Sequence, residues 1–174
     1  METGPQPPVL REGRIIVPGS SRQLAAYGLF HPQPDRRRAL PSGSRTFDAK
    51  ALEHDLLWLS FDELCAPGTS VEDYSVLAAG PELCVIDGVP APDPADAGFR
   101  AEAWEQFAAV LAVLAARNAT LFVVGTRPMD WAAASAGAKD PRLRASLAGI
   151  DRLLAGLERV ESDETVAVEG VSGS

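Results

Sequence analysis

The stretches Leu83-Cys84-Val85-Ile86-Asp87-Gly88 and Leu121-Phe122-Val123-Val124-Gly125-Thr126 decide the fold of this chain, because each is a short apolar run that ends in a polar group. Runs of this kind are the signature of strands buried on both faces of a parallel sheet. Between them, Trp104, Phe107, Leu111 and Leu114 recur at helical spacing, with Ala108 and Ala115 beside them, so one face of a helix over 101–117 is apolar. Residues 83–124 therefore read as strand, crossover helix, strand. A third apolar run, Leu56 to Phe61, ends in Asp62 and Glu63. Ligands of such sheets lie outside the carboxyl ends of the strands, so these polar endings are where chemistry is sought. The expected class is α/β, a parallel-type sheet with packed helices.

Working outward, Ser70 followed by Glu72 and Asp73 opens a short helix through Ala79, since acids suit the positive end of a helix, and Gly80-Pro81 stops it. Gly88, Pro90, Pro92 and Pro94 give an extended loop with no helix before about residue 95. Asp140-Pro141 opens a last helix with Leu143, Leu147, Ile150, Leu154 and Leu157 as its apolar face and Arg144, Asp151, Arg152 and Arg159 on its polar side. Near the start, Arg14 to Val17 is a strand closed by Pro18-Gly19. The organisation expected is a disordered Pro-rich segment over 1–12, a strand and a basic Pro/Arg-rich loop over 13–50, an α/β module over 51–160, and a polar tail over 161–174 with an edge strand at Thr165 to Val168.

The chain has 174 residues, enough for one ordinary core, and a formal charge of −8 that is unevenly spread. Residues 1–45 carry seven arginines against three acids, while residues 46–174 carry nine bases against twenty-one acids. An acidic body excludes a broad nucleic-acid-binding face, which needs clustered Lys and Arg. The head, with Arg36, Arg37 and Arg38 in succession, reads as a solvated charge run or as a surface for an anionic partner. No stretch approaches the roughly 20 apolar residues of a membrane span, and prolines interrupt the place where a signal peptide would have its apolar core, so a cytoplasmic protein is expected. Cys65 and Cys84 lie beside apolar runs and read as buried thiols.

Asp62 and Glu63 imitate the acids that hold Mg²⁺ and polarise water in a nucleotide-hydrolysing strand, although a carboxylate after a strand is more commonly the cap of a following helix. Asp87 carries the same two readings, with Gly88 and Pro90 turning the chain away after it. Thr126 and Arg127 stand where a polar sensor of phosphate would stand, and Pro128 makes Arg127 exposed. No Gly-x-x-x-x-Gly-Lys-Ser/Thr loop, Gly-x-Ser-x-Gly elbow or Gly-x-Gly-x-x-Gly fingerprint occurs.

The ordered series Phe61-Asp62-Glu63-Leu64-Cys65, Asp73-Tyr74-Ser75-Val76-Leu77-Ala78 and Val85 to Pro90 resembles the C-terminal part of ZapE-type AAA+ ATPases. Gly13-Arg14, Phe107 with Leu111 and Leu114, Leu121 to Gly125, and Arg152-Leu153 are similar to further elements of that family, so the resemblance spans roughly residues 13–157. Ala112, Ala116 and Asp151 depart from its pattern, and residues 20–50 look like an insertion. The family's phosphate loop, acid-ended strand and first sensor lie upstream of the matching region. The resemblance implies ATP and Mg²⁺ as cofactors, with Arg152, Asp87, Asp62 and Glu63 as nucleotide-side residues. It also implies a role in cell division in bacteria or protein quality control in mitochondria, and an upstream ATPase module or cell-division proteins as partners. Homo-oligomers are left open. With no phosphate loop of its own, the chain is expected to be a regulatory element that does not hydrolyse ATP alone; the alternative is a partner- or anion-binding module acting through Arg36–Arg38.

Overall fold

The computed structural model describes residues 8–93 and 101–161. In chain order the elements are β1 (Glu12–Ile16), α1 (Ser21–Ala25), β2 (Arg38–Ser42), β3 (Arg45–Ala49), β4 (Ala51–Leu52), β5 (Leu56–Ser60), α2 (Phe61–Leu64), β6 (Leu83–Val89), α3 (Ala101–Ala116), β7 (Thr120–Gly125), α4 (Trp131–Gly137), α5 (Pro141–Leu154) and β8 (Glu158–Val160). Short 3₁₀ helices cover Pro34–Arg36 and Val71–Ala78. The expected edge strand at 165–168 and most of the expected disordered head lie outside the described residues.

Six strands form one sheet in the order β4-β5-β6-β7-β1-β8, with β4 antiparallel to β5 and every other pair parallel. The α/β reading with a mostly parallel sheet is thus what the chain builds. Side chains alternate along each strand. Ile15, Leu57, Leu59, Cys84, Ile86, Leu121 and Val123 join α3, α4 and α5 in the larger core, while Ile16, Trp58, Val85, Phe122 and Val124 join Leu24 and Leu29 in a smaller one. The steps β5 to β6, β6 to β7 and β7 to β8 all run in one direction across the sheet, and their helices share the first face. The step from β1 to β5 runs the other way and passes over the second face, as a single handedness of parallel crossovers demands.

The strand β1 enters between β7 and β8 with no space to spare. Gly13 has φ +130°, and a Cβ there would lie 1.7 Å from the Leu121 carbonyl oxygen. No side chain fits that position. Within the first-face layer, the buried Gln106 of α3 donates to the carbonyls of Ala66 and Thr69, and Arg117 just after α3 donates to those of Leu77 and Pro81. These bonds satisfy the backbone of the irregular β5–β6 connection where no strand partner exists.

Residues 31–50, read from sequence as an exposed loop, instead carry the β2–β3 hairpin, closed by the two residues Gly43 and Ser44. Gly43 takes φ +60°, the conformation a tight hairpin turn needs. Pro41 obscured this strand, but it lies in a two-stranded sheet, where a missing N–H is tolerated at an edge. The hairpin tip is fastened by Asp73: its carboxylate accepts from the Ser44 N–H and hydroxyl at 3.0 Å each and from the Ser70 N–H and hydroxyl at 2.9 and 3.1 Å. Ser42 Oγ accepts from Val76 N–H at 3.1 Å, and Phe47 stacks on Tyr74, whose hydroxyl donates to the Leu64 carbonyl.

The Ser70 N–H, and then the bonds from Ser44, hold the Asp73 carboxyl below the ordinary aspartate range against the opposing effect of burial. A depressed folded-state pKa contributes stability above the unfolded value of about 3.9 and loses it as pH falls through the lower folded value. Asp73→Asn is therefore expected to melt at lower temperature than the parent at pH 7, with the gap narrowing as pH falls below about 4. Thermal melts at pH 7, 4 and 3 followed by circular dichroism check this, and a gap that stays constant with pH overturns it.

Candidate functional site

The direction of crossing reverses at β1, so the crevice that such sheets offer to ligands lies outside the carboxyl ends of β1 and β7. Here it is filled from within. After the cis Val17–Pro18 bond the chain turns at Gly19, where a Cβ would lie 2.4 Å from Val124 Cγ1. On the other side, a Cβ at Gly125 would lie 2.7 Å from the Val89 carbonyl oxygen and 2.9 Å from Met129 Cε. The loop amides themselves are used by Gln23, a fully buried side chain. Its Oε1 accepts from Gly19 N–H at 2.8 Å and Ser20 N–H at 3.0 Å, and its Nε2 donates to the Val17 carbonyl at 2.7 Å. Ser20 Oγ completes a capping box by accepting from Gln23 N–H at 3.1 Å.

Asp87 is the best-built of the carboxylates named from sequence. Its strand does not end at Ile86: β6 continues to Val89 through an irregularity in its pairing, with Gly88 at φ +68°. This places Asp87 inside the strand, buried on the second face beyond Val85. Asp87 Oδ2 accepts from Lys50 Nζ at 2.7 Å and from Trp58 Nε1 at 2.9 Å. Asp87 Oδ1 is buried and has no hydrogen-bond partner among the described residues. Lys50, between β3 and β4, reaches the site because its N–H donates to the Trp58 carbonyl, at the edge of β5. His31 closes the group from above, its ring 5.7 Å from that of Trp58.

The other residues named from sequence are not gathered here. Asp62 is exposed, and the cap of α2 is Ser60, whose Oγ accepts from Glu63 N–H at 3.1 Å. Glu63 turns to the hairpin: its carboxylate faces Arg45 at 3.2 Å and accepts from Asp48 N–H at 2.8 Å. Thr126 and Arg127 are both exposed. Arg152 lies at the opposite end of the sheet. The helix α5 starts after β7 and runs back to where β8 begins, so its last turn reaches the amino ends of the strands, where the Leu153 carbonyl accepts from Leu10 N–H just before β1. The Arg152 side chain is exposed there.

The exposed arginine run is partly neutralised. Arg36 pairs with Glu53, Arg37 pairs with Asp48 at 2.9 Å, and Arg38 donates to the carbonyls of Asp35 and Arg37. Among the described residues, no group of three or more His, Cys, Asp and Glu side chains is placed to share a metal ion. No helix of the described residues is long and apolar enough to cross a membrane.

Gln23, Lys50 and Trp58 were not read as site residues. The Gln23 capping box was legible as Ser20-x-x-Gln23, whereas the Lys50–Asp87 pair spans 37 positions and leaves no local trace. In comparisons with known proteins, no family model, no curated protein and no solved structure matches this chain.

Removing one partner from the Lys50–Asp87 pair leaves a buried carboxylate facing only Trp58. Lys50→Met is expected to destabilise the fold by about 1–3 kcal/mol, and the double variant Lys50→Met/Asp87→Asn to recover part of that loss. Arg152→Ala, on an exposed helix end, is expected to stay within about 0.5 kcal/mol of the parent. Urea titrations of the four proteins check both statements.

Proposed function

We propose that the chain is a regulatory, partner-binding module of the ZapE-type ATPase kind that does not turn over ATP by itself. The ZapE-type kinship rests on the sequence resemblance; the observation that argues against turnover by the chain itself is the Gln23 carboxamide. A phosphate-binding strand–loop–helix needs free backbone N–H groups aimed at the ligand. In the strand–loop–helix that this chain does have, after β1, the amides of Gly19 and Ser20 are bonded to Gln23 Oε1, and Val124 packs against the loop at Gly19.

The acids argue the same way. A Mg²⁺ ion held at Asp87 would meet the Lys50 ammonium on Oδ2, Glu63 is committed to Arg45 and the Asp48 amide, and Asp62 is exposed on α2. The donor set present does not fit a Mg-triphosphate, so no hydrolytic step is assigned. What is left to the module is its surface, acidic overall at −8, offered to an ATPase supplied by another chain or to a cell-division protein.

Mg-ATP is therefore expected to leave the melting temperature unchanged. A ligand present at 100 times its Kd would add about 2.7 kcal/mol and be seen at once. Gln23→Ala is expected to melt at lower temperature and still to gain nothing from Mg-ATP, because removing the carboxamide frees two amides without supplying a lysine. Steady hydrolysis of Mg-ATP by the purified chain, abolished in Asp87→Asn, overturns the reading. Its regulatory half is tested by adding the chain to a ZapE-type ATPase and measuring whether that enzyme's turnover changes.

A further inference from the structure

On the second face, where the β1–β5 connection crosses the sheet, two depressions meet at His31, Pro32 and Gln33. One, of about 230 Å³, is completed by Pro34, Arg37 and Lys50. Every titratable side chain in its lining is a hydrogen-bond donor, and no carboxylate lines it. The acids that balance these cations lie outside its lining: Asp87 grips Lys50 from the buried side, and the exposed Asp48 holds Arg37 on the hairpin. The ammonium has three protons and gives one to Asp87, and the guanidinium has five and gives one to Asp48, so donors are left over to face the lobe.

The adjoining lobe, of about 330 Å³, is lined by Leu29, Phe30, Ala51 and Leu56, with the Arg36–Glu53 pair beside them. Phe30 is 71% exposed, which is unusual for so large an apolar ring. Prolines 32 and 34 fix the backbone of the shared wall, which limits the ordering cost of binding.

We propose that this cleft binds a small organic anion, with a carboxylate or phosphate head between Lys50 and Arg37 and an aromatic or apolar body along Phe30. Concave sites of a few hundred cubic ångströms with an apolar wall and a few convergent polar groups are where small ligands bind. The exposed Arg37–Asp48 pair is of the kind worth little by itself, so an incoming anion displaces or shares it at small cost. Because each cation already faces one carboxylate, the lobe offers hydrogen-bond donors with little net positive charge, which suits one small anionic head and not a triphosphate. The site is independent of the sealed loop after β1, so its failure leaves the preceding reading intact.

The test is titration of the full chain with phenyl phosphate, benzoate, inorganic phosphate and benzyl alcohol, followed by amide chemical shifts. Phenyl phosphate or benzoate is expected to perturb Leu29, His31 and Lys50 and to bind more tightly than inorganic phosphate or benzyl alcohol, which each lack one half of the match. Which of the two binds better assigns the head as phosphate or carboxylate. Phe30→Ala and Arg37→Gln, both at exposed positions that leave the core untouched, are each expected to weaken binding on the order of tenfold. No perturbation at millimolar ligand, perturbation confined to other surfaces, or equal binding by parent and both variants overturns the proposal.

Discussion

The architecture depends on a strand that is read first and enclosed by the last two. β1 is paired on one edge with β7 and on the other with β8, and Gly13 lets the β7 backbone come within reach of its own. From β1, next to one edge of the sheet, the chain reaches β5 near the other by crossing one face, and it crosses the face that α3, α4 and α5 do not cover. What is distinctive on the second face follows from that crossing: α1, the Gln23-filled turn and the wall formed by Phe30 to Pro34; the hairpin that follows packs Phe47 and Ala49 into the larger core and brings Lys50 to Asp87.

The first face was largely legible. β5, β6 and β7 each contain a run of at least four consecutive apolar residues, and α3 has a three-four spacing that only a helix explains. Asp140 before Pro141 marked α5 correctly, and Asp73 does secure the start of its 3₁₀ helix. The second face was not, because its elements are short. α1 has five residues and β4 has two, too few for a period to repeat. The same holds for α4, whose Asp130 cap was a readable signal in an otherwise alanine-rich stretch, and for β8.

The candidate site is a different case. The residues named together from sequence lie in three places: Asp87 beside Trp58, Glu63 against the hairpin, and Arg152 at the far end of the sheet, where α5 returns. Spacing along a chain says which residues share an element but not which elements share an end of the sheet. Spacing was equally silent on the charge run over Arg36–Arg38, since the acids that face it are Asp48 and Glu53, beyond the turn of the hairpin.

The Gln23 side chain has one more implication. An occupant attached to the loop by its own backbone returns to it as an intramolecular event, so a diffusing solute must first displace a tethered competitor. The competition at that turn is therefore set by the sequence itself, and a single codon change at Gln23 would remove the competitor.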